Sequence, residues 1–79
     1  MIIAADKVLE AIKKLNVGEG FEAGDLFSRL PSEEKVYWQL IEVKGKVNAR
    51  VYRFKLYYRE VFLRAETLYE KSGEISTHA

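Results

Sequence analysis

Apolar and basic side chains alternate along residues 52–59, whose sequence is Tyr-Arg-Phe-Lys-Leu-Tyr-Tyr-Arg. Successive side chains of a β-strand point to opposite faces, so a period of two predicts a strand with one apolar and one basic face. Aromatic residues favour the same conformation. Tyr52 and Tyr58 fall on the apolar face, where we expect them to pack, and Tyr57 falls among the basic residues.

A reversal of the chain is predicted directly before this strand. Val47 has the opposite parity from Tyr52, so one unbroken strand through both residues would change its buried face midway. A turn at 48–50, which begins with an asparagine suited to turn geometry, removes the conflict. The prediction is a β-hairpin with strands near 45–47 and 51–57.

Four helices are predicted where apolar residues recur at intervals of three and four. They cover residues 4–15, 23–30, 33–44 and 59–71. Asn16 and the glycines after it end the first helix, and Pro31 ends the second. Glu33 and Glu34 complement the positive end of the third helix dipole. Residues 72–79 are expected to form a flexible tail.

The length and composition indicate one small domain. A chain of 79 residues has room for one hydrophobic core, which we place in residues 1–71. The chain has no cysteine, no run of about 18 apolar residues and no signal-peptide pattern at its start. We therefore expect a cytoplasmic protein that does not interact with membranes.

The residue types needed for catalysis are scarce. The only histidine, His78, lies next to the end of the sequence, and no cysteine can act as a nucleophile. Ser28 and Ser32 have no neighbouring base, and residues 18–20 are too short and too acidic to cradle a phosphate. We expect a binding protein rather than an enzyme, with no metal, no cofactor and no small-molecule substrate.

Cations are concentrated in one stretch of a chain whose net charge is only +1. Residues 1–34 hold more acids than bases, whereas residues 44–59 contain six cations and no acid. The six are Lys44, Lys46, Arg50, Arg53, Lys55 and Arg59. The overall charge gives no argument for nucleic acid, but the basic stretch is suited to phosphate contacts, or alternatively keeps an exposed strand edge soluble.

The predicted order of elements resembles the winged helix-turn-helix family. The matching segment is GEGFEAGDLFSRLPSEEKVYWQLIEVKGKV at 18–47, with Phe21 where the first small strand lies and Gly45 at the exit into the wing. Within that family, the segment resembles the small regulators of archaea and of their viruses and plasmids. The resemblance implies an α+β fold of three helices and a β-hairpin wing, with an additional C-terminal helix at 59–71.

The same resemblance implies sequence-specific binding of double-stranded DNA by a transcriptional regulator. Helix 33–44 would enter the major groove, where Gln39 could pair with adenine, and the wing 45–57 would contact the backbone. Glu33 and Glu34 count against this arrangement because carboxylates repel phosphate. The residues implied in DNA contact are Lys35, Trp38, Gln39, Lys44, Lys46, Arg50, Arg53, Lys55 and Tyr57.

The C-terminal helix has two interpretations. Its apolar side either covers this domain's own sheet or pairs with a second copy, and we predict a homodimer. The interface residues would be Val61, Phe62, Ala65, Leu68 and Tyr69.

Two other functions remain open at this point. In the first, the chain is a protein-interaction module that uses Trp38 and the acidic turn. In the second, it is a small domain for RNA or single-stranded nucleic acid, with Tyr57 stacking on a base.

Overall fold

The structure is a computed structural model that describes residues 2–3, 6–24 and 35–77. Within these residues there are six strands and one helix. In chain order they are β1 (Ile2–Ile3), α1 (Asp6–Lys13), β2 (Gly20–Ala23), β3 (Val36–Lys46), β4 (Ala49–Tyr58), β5 (Val61–Lys71) and β6 (Glu74–Ser76).

The six strands form one antiparallel sheet in the order β1-β6-β5-β4-β3-β2. From β2 to β6 each strand pairs with the next one in sequence, and β1 joins the far edge beside β6. The sheet is curled. Helix α1 packs on one face, which we call the inner face, and the opposite face is called the open face.

The inner face carries the hydrophobic core. Alternate residues of β3 and β4 point to this face. Helix α1 covers it with side chains that are spaced one helical turn apart. The buried apolar residues are Leu9, Ile12, Val36, Trp38, Leu40, Tyr52, Phe54, Leu56, Leu68 and Ile75. Trp38 is completely buried, and its ring meets those of Phe21 and Phe54 at centroid distances of 6.1 and 5.6 Å.

A buried carboxylate lies on the same face, between the sheet and α1. Glu70 Oε1 accepts a hydrogen bond from the Tyr52 hydroxyl at 3.0 Å, and Glu70 Oε2 lies 3.5 Å from the Lys13 ammonium. Burial raises the pKa of the Tyr52 phenol, and the hydrogen bond and negative charge of Glu70 raise it further. These contacts link α1 to β4 and β5.

The winged-helix prediction is wrong. Residues 36–44 of the predicted third helix lie in β3, and most of the predicted helix at 59–71 forms β5. Most of the described residues lie in β-strands. Neither a recognition helix nor a C-terminal helix is present among them.

A β-bulge helps to explain the error in β3. The register of β3 shifts between Leu40 and Glu42, so the extra residue Ile41 moves the next inward position to Val43. Inward positions at 36, 40 and 43 have the spacing of one helical face. The register of β4 with β5 shifts in the same way around Leu63.

Other predictions have mixed outcomes. The first helix is confirmed over Asp6–Lys13, and the chain does fold back at Asn48, whose φ of 67° is left-handed. In the second predicted helix, Ala23 ends β2, and positions 25–30 lie outside the described residues. The predicted tail contains β6, in which Ile75 is fully buried.

Candidate functional site

Three aromatic side chains lie side by side on the open face. By register, Tyr37 of β3 is opposite Tyr57 of β4, which is opposite Phe62 of β5. Ring centroids are 6.5 Å apart for Tyr37 and Tyr57, and 5.9 Å apart for Tyr57 and Phe62. We call these three residues the aromatic row.

The aromatic row is accessible to solvent. Tyr37 is 38% exposed and Phe62 is 53% exposed, while Tyr57 between them is half-buried. No residue that the structure describes packs over them as α1 packs over the inner face. Contiguous exposed apolar side chains on a small protein mark a binding surface more often than scattered ones do.

A glycine makes room for the first ring of the row. A Cβ atom added at Gly20 would stand 2.6 Å from Cζ of Tyr37, and it would also collide with the backbone oxygen of Trp38. Because Gly20 has no side chain, the Tyr37 ring can lie across β2. The sequence therefore sets the position of this ring through a residue on the neighbouring strand.

Gln39 holds the second ring. Its Oε1 accepts a hydrogen bond from the Tyr57 hydroxyl at 3.4 Å, and its Nε2 donates to the Gly18 carbonyl at 3.3 Å. Both ends of the amide are thus engaged within the protein. Gln39 positions Tyr57, which is a different role from the adenine pairing that the winged-helix resemblance implied.

A groove runs beside the aromatic row. Its volume is about 540 Å³. Tyr37 and Tyr57 line it with Gln39, and charged side chains from β2 and from the connections before β3 and after β4 surround it. The charged residues are Glu22, Lys35, Arg59 and Glu60. A flat ring that entered this groove would contact aromatic surface and have cations within reach.

Basic side chains continue from the row along the open face. Lys55 precedes Tyr57 by two residues on β4, and Arg53 precedes Lys55 by two more. Glu42 partly neutralises this line, since its carboxylate is 3.5 Å from Arg53 and 3.6 Å from Lys44. In the described part of the chain, Lys35 and Lys55 have no acidic partner within 4 Å.

Only some of the predicted DNA contacts lie together. The open face carries Gln39, Lys44, Arg53, Lys55 and Tyr57, and Lys35 comes directly before β3. Trp38 is in the core, which also removes it as an anchor for a protein partner. Arg50 lies on the inner parity near Tyr52, and Lys46 lies at the end of the β3–β4 hairpin.

The predicted dimer residues do not form a helical stripe. Leu68 is fully buried in the core and Tyr69 is half-buried next to β6. Val61, Phe62 and Ala65 are exposed. Phe62 instead completes the aromatic row.

The sequence interpretation missed Tyr37 and Phe62 as site residues. Tyr37 falls within the predicted helix 33–44, and Phe62 within the predicted dimer interface. A signal was present in the segment Val36–Leu40, where apolar residues alternate with Tyr37 and Gln39 at a period of two. Its β-branched and aromatic content also favours a strand.

Other kinds of site find no support within the described residues. They contain no cluster of three or more potential metal ligands from His, Cys, Asp and Glu. None of their helices has the length and apolar character needed to cross a membrane. Comparison of the chain with protein-family models, with curated proteins and with solved structures found no match.

Proposed function

We propose that this protein binds single-stranded nucleic acid on the open face of its sheet. The observation that carries the proposal is the aromatic row, three rings on adjacent strands with neighbouring centroids 5.9–6.5 Å apart. Unstacked bases bind to aromatic side chains on sheet surfaces, and this contact tolerates any base because every base has a π-face.

The charges support the same ligand. A strand whose bases contact Tyr37 and Tyr57 carries phosphates that need cations at the rim, and Lys35, Lys55 and Arg53 lie there. Their side chains are exposed, so they provide affinity that depends on salt rather than selectivity for sequence. Glu22 and Glu60 at the groove oppose phosphate, which favours a base rather than a phosphate inside it.

Duplex DNA fits this surface less well. A duplex keeps its base faces stacked inside, so it cannot use exposed rings for stacking. The described residues also offer no helix for the major groove apart from α1, whose Leu9 and Ile12 are committed to the core. Double-stranded DNA binding by the predicted helix 33–44 is therefore not retained in the proposal.

The test is a titration of fluorescent oligonucleotides by the whole chain. We expect tighter binding of single-stranded RNA or DNA than of a duplex, at two salt concentrations. Tyr57→Ala should weaken single-strand binding by roughly 1–3 kcal/mol, which is the loss typical of one stacked base. Val47→Ala is the matched control, because Val47 is an exposed apolar residue at the other end of the β3–β4 hairpin.

Two results would contradict the proposal. One is equal or tighter binding of the duplex. The other is single-strand binding that Tyr57→Ala and Val47→Ala leave equally strong. Absence of binding to any nucleic acid would favour a protein-interaction module instead.

A further inference from the structure

Strand β5 has an edge without a partner strand among the described residues. On one side of β5, β6 pairs only with Tyr69–Lys71. On the other side, β4 pairs with β5 from Val61 to Tyr69. Among the described residues, the edge of Val61–Leu68 that faces away from β4 thus has no partner strand. The segment contains neither lysine nor proline, two of the residues that commonly prevent pairing at open edges, and its charged residues are Arg64 and Glu66.

The turn between β5 and β6 shows which backbone N–H and C=O groups of β5 face the edge that points away from β4. Lys71 and Glu74 flank the two-residue turn Ser72-Gly73, so they form a hydrogen-bonded pair. Backbone groups alternate in direction along a strand, so Lys71 and Tyr69 face β6. By the same alternation, Ala65 and Thr67 direct their N–H and C=O groups to the open edge.

We propose that two copies of this chain pair through this edge, with β5 antiparallel to β5 of the second copy and Ala65 on the two-fold axis. This register places Ala65 opposite Ala65 as a hydrogen-bonded pair. It also places Arg64 opposite Glu66 of the second copy, and Glu66 opposite the other Arg64.

Charge complementarity identifies the second copy as the occupant. Arg64 and Glu66 lie two residues apart on one face of β5, where they already form an ion pair within the chain. An axis through Ala65 brings opposite charges together twice, whereas an axis through Glu66 would place two carboxylates opposite each other. The segment is therefore complementary to itself in the antiparallel register with Ala65 on the axis.

The same segment of β5 also exposes apolar side chains. Val61, Phe62 and Leu63 are 63%, 53% and 36% exposed, and they are consecutive. Pairing over Leu63–Thr67 covers Leu63, and the β-bulge there ends the pairing before Phe62. The contact is short, so the dimer is weak and depends on protein concentration.

The dimer would extend the candidate site without depending on it. Residues opposite each other in an antiparallel pair point to the same face, so the two open faces would lie on one side of a continuous sheet. Each copy would bring its own aromatic row to that surface.

The test is the mass of the whole chain by sedimentation or light scattering over a range of concentrations. The parent chain should shift from monomer to dimer as concentration rises. Ala65→Pro removes an outward N–H and no hydrogen bond within the sheet, so it should fold and remain monomeric. Val47→Pro, at the β3–β4 turn, is the control and should dimerise like the parent. Trp38 fluorescence reports folding in every variant.

A charge exchange tests the register. Arg64→Glu and Glu66→Arg should each abolish the dimer, because each leaves like charges opposite one another. Mixing the two variants should restore a dimer that contains one copy of each. The proposal is overturned if the parent stays monomeric at the highest concentration, if Ala65→Pro still dimerises, or if the two folded charge variants fail to combine.

Discussion

The hydroxyl of Tyr57 donates a hydrogen bond to Gln39 Oε1 across the β3–β4 pair, at 3.4 Å. Gln39 in turn donates to the Gly18 carbonyl, and the backbone of Gly18 donates to the Leu40 carbonyl at 2.8 Å. The central ring of the aromatic row is thus connected to the loop before β2. This connection gives the open face a defined ring geometry before any ligand arrives.

The first prediction concerns this hydrogen bond. Gln39→Ala removes the acceptor of the hydrogen bond and Tyr57→Phe removes its donor. Both variants keep an aromatic ring at position 57. Each should weaken single-strand binding by about 0.5–1.5 kcal/mol, the usual net value of one hydrogen bond. The double variant should lose less than the sum, because both changes delete the same contact. Fully additive losses in the oligonucleotide titration would show that Gln39 does not act through Tyr57.

The second prediction concerns the space beside Tyr37. Gly20→Ala places a methyl group against that ring and against the backbone oxygen of Trp38, which cannot move without distorting β3. We expect the free energy of unfolding to fall by about 1–3 kcal/mol. Urea unfolding followed by Trp38 fluorescence measures it. A loss below about 0.5 kcal/mol would mean that Tyr37 does not lie across Gly20.

The third prediction concerns pH. The pKa of Tyr52 in the folded chain lies above its ordinary value of 10.0, so the unfolded chain releases this proton first as the pH rises. The contribution of Tyr52 to the free energy of unfolding is complete below about pH 10 and declines above it.

Tyr52→Phe isolates this contribution. At neutral pH the variant should be less stable by about 1–3 kcal/mol, since Glu70 loses a buried hydrogen-bond donor. Above pH 10 the difference between parent and variant should narrow. Urea unfolding at a series of pH values measures both curves, and a constant or growing difference would contradict the assignment.

The fourth prediction separates the strand at 36–46 from the helix that the sequence suggested. A tryptophan on the wet side of a helix could be truncated at little cost in stability. Trp38→Ala should instead lower the free energy of unfolding by about 3–5 kcal/mol, because the ring fills the core. Lys55→Ala, on the open face, should change it by less than about 0.5 kcal/mol. Circular dichroism follows unfolding in both variants, and similar losses in the two would contradict the burial of Trp38.

Local pattern predicted the parts of the fold that have a regular period. The strand through Tyr52, Phe54 and Leu56 was found because its alternation is unbroken, and the reversal at Asn48 followed from a conflict of parity. Helix α1 was found because Leu9 and Ile12 are one turn apart. In each case the signal lies within a few consecutive residues.

The longer strands could not be identified in the same way. A bulge at Ile41 adds one residue to β3, which turns a period of two into an apparent helical spacing, and β5 contains another bulge at Leu63. Whether a strand contains a bulge depends on its partner strand. Short β6 was missed because it has only three residues, and Ile75 is buried through long-range packing in the core that includes Leu9 and Ile12.

The candidate site was predicted in part. Tyr57, Lys55 and Arg53 were correctly placed together on one face of a strand, because one alternating segment contains all three. Tyr37 and Phe62 join them only through cross-strand pairing, which brings together residues that are about 20 positions and 5 positions from Tyr57 in the sequence. Arg50 was assigned to the same surface, but its parity places it with the core.

The most direct test of the account is a map of backbone amide shifts by NMR as a short single-stranded oligonucleotide is added to the whole chain. We expect the largest shifts at Tyr37, Tyr57 and Phe62 and at the neighbouring Lys35 and Lys55, with little change along α1. Shifts concentrated on α1 or on the inner face, or no shifts at saturating oligonucleotide, would contradict binding at the open face.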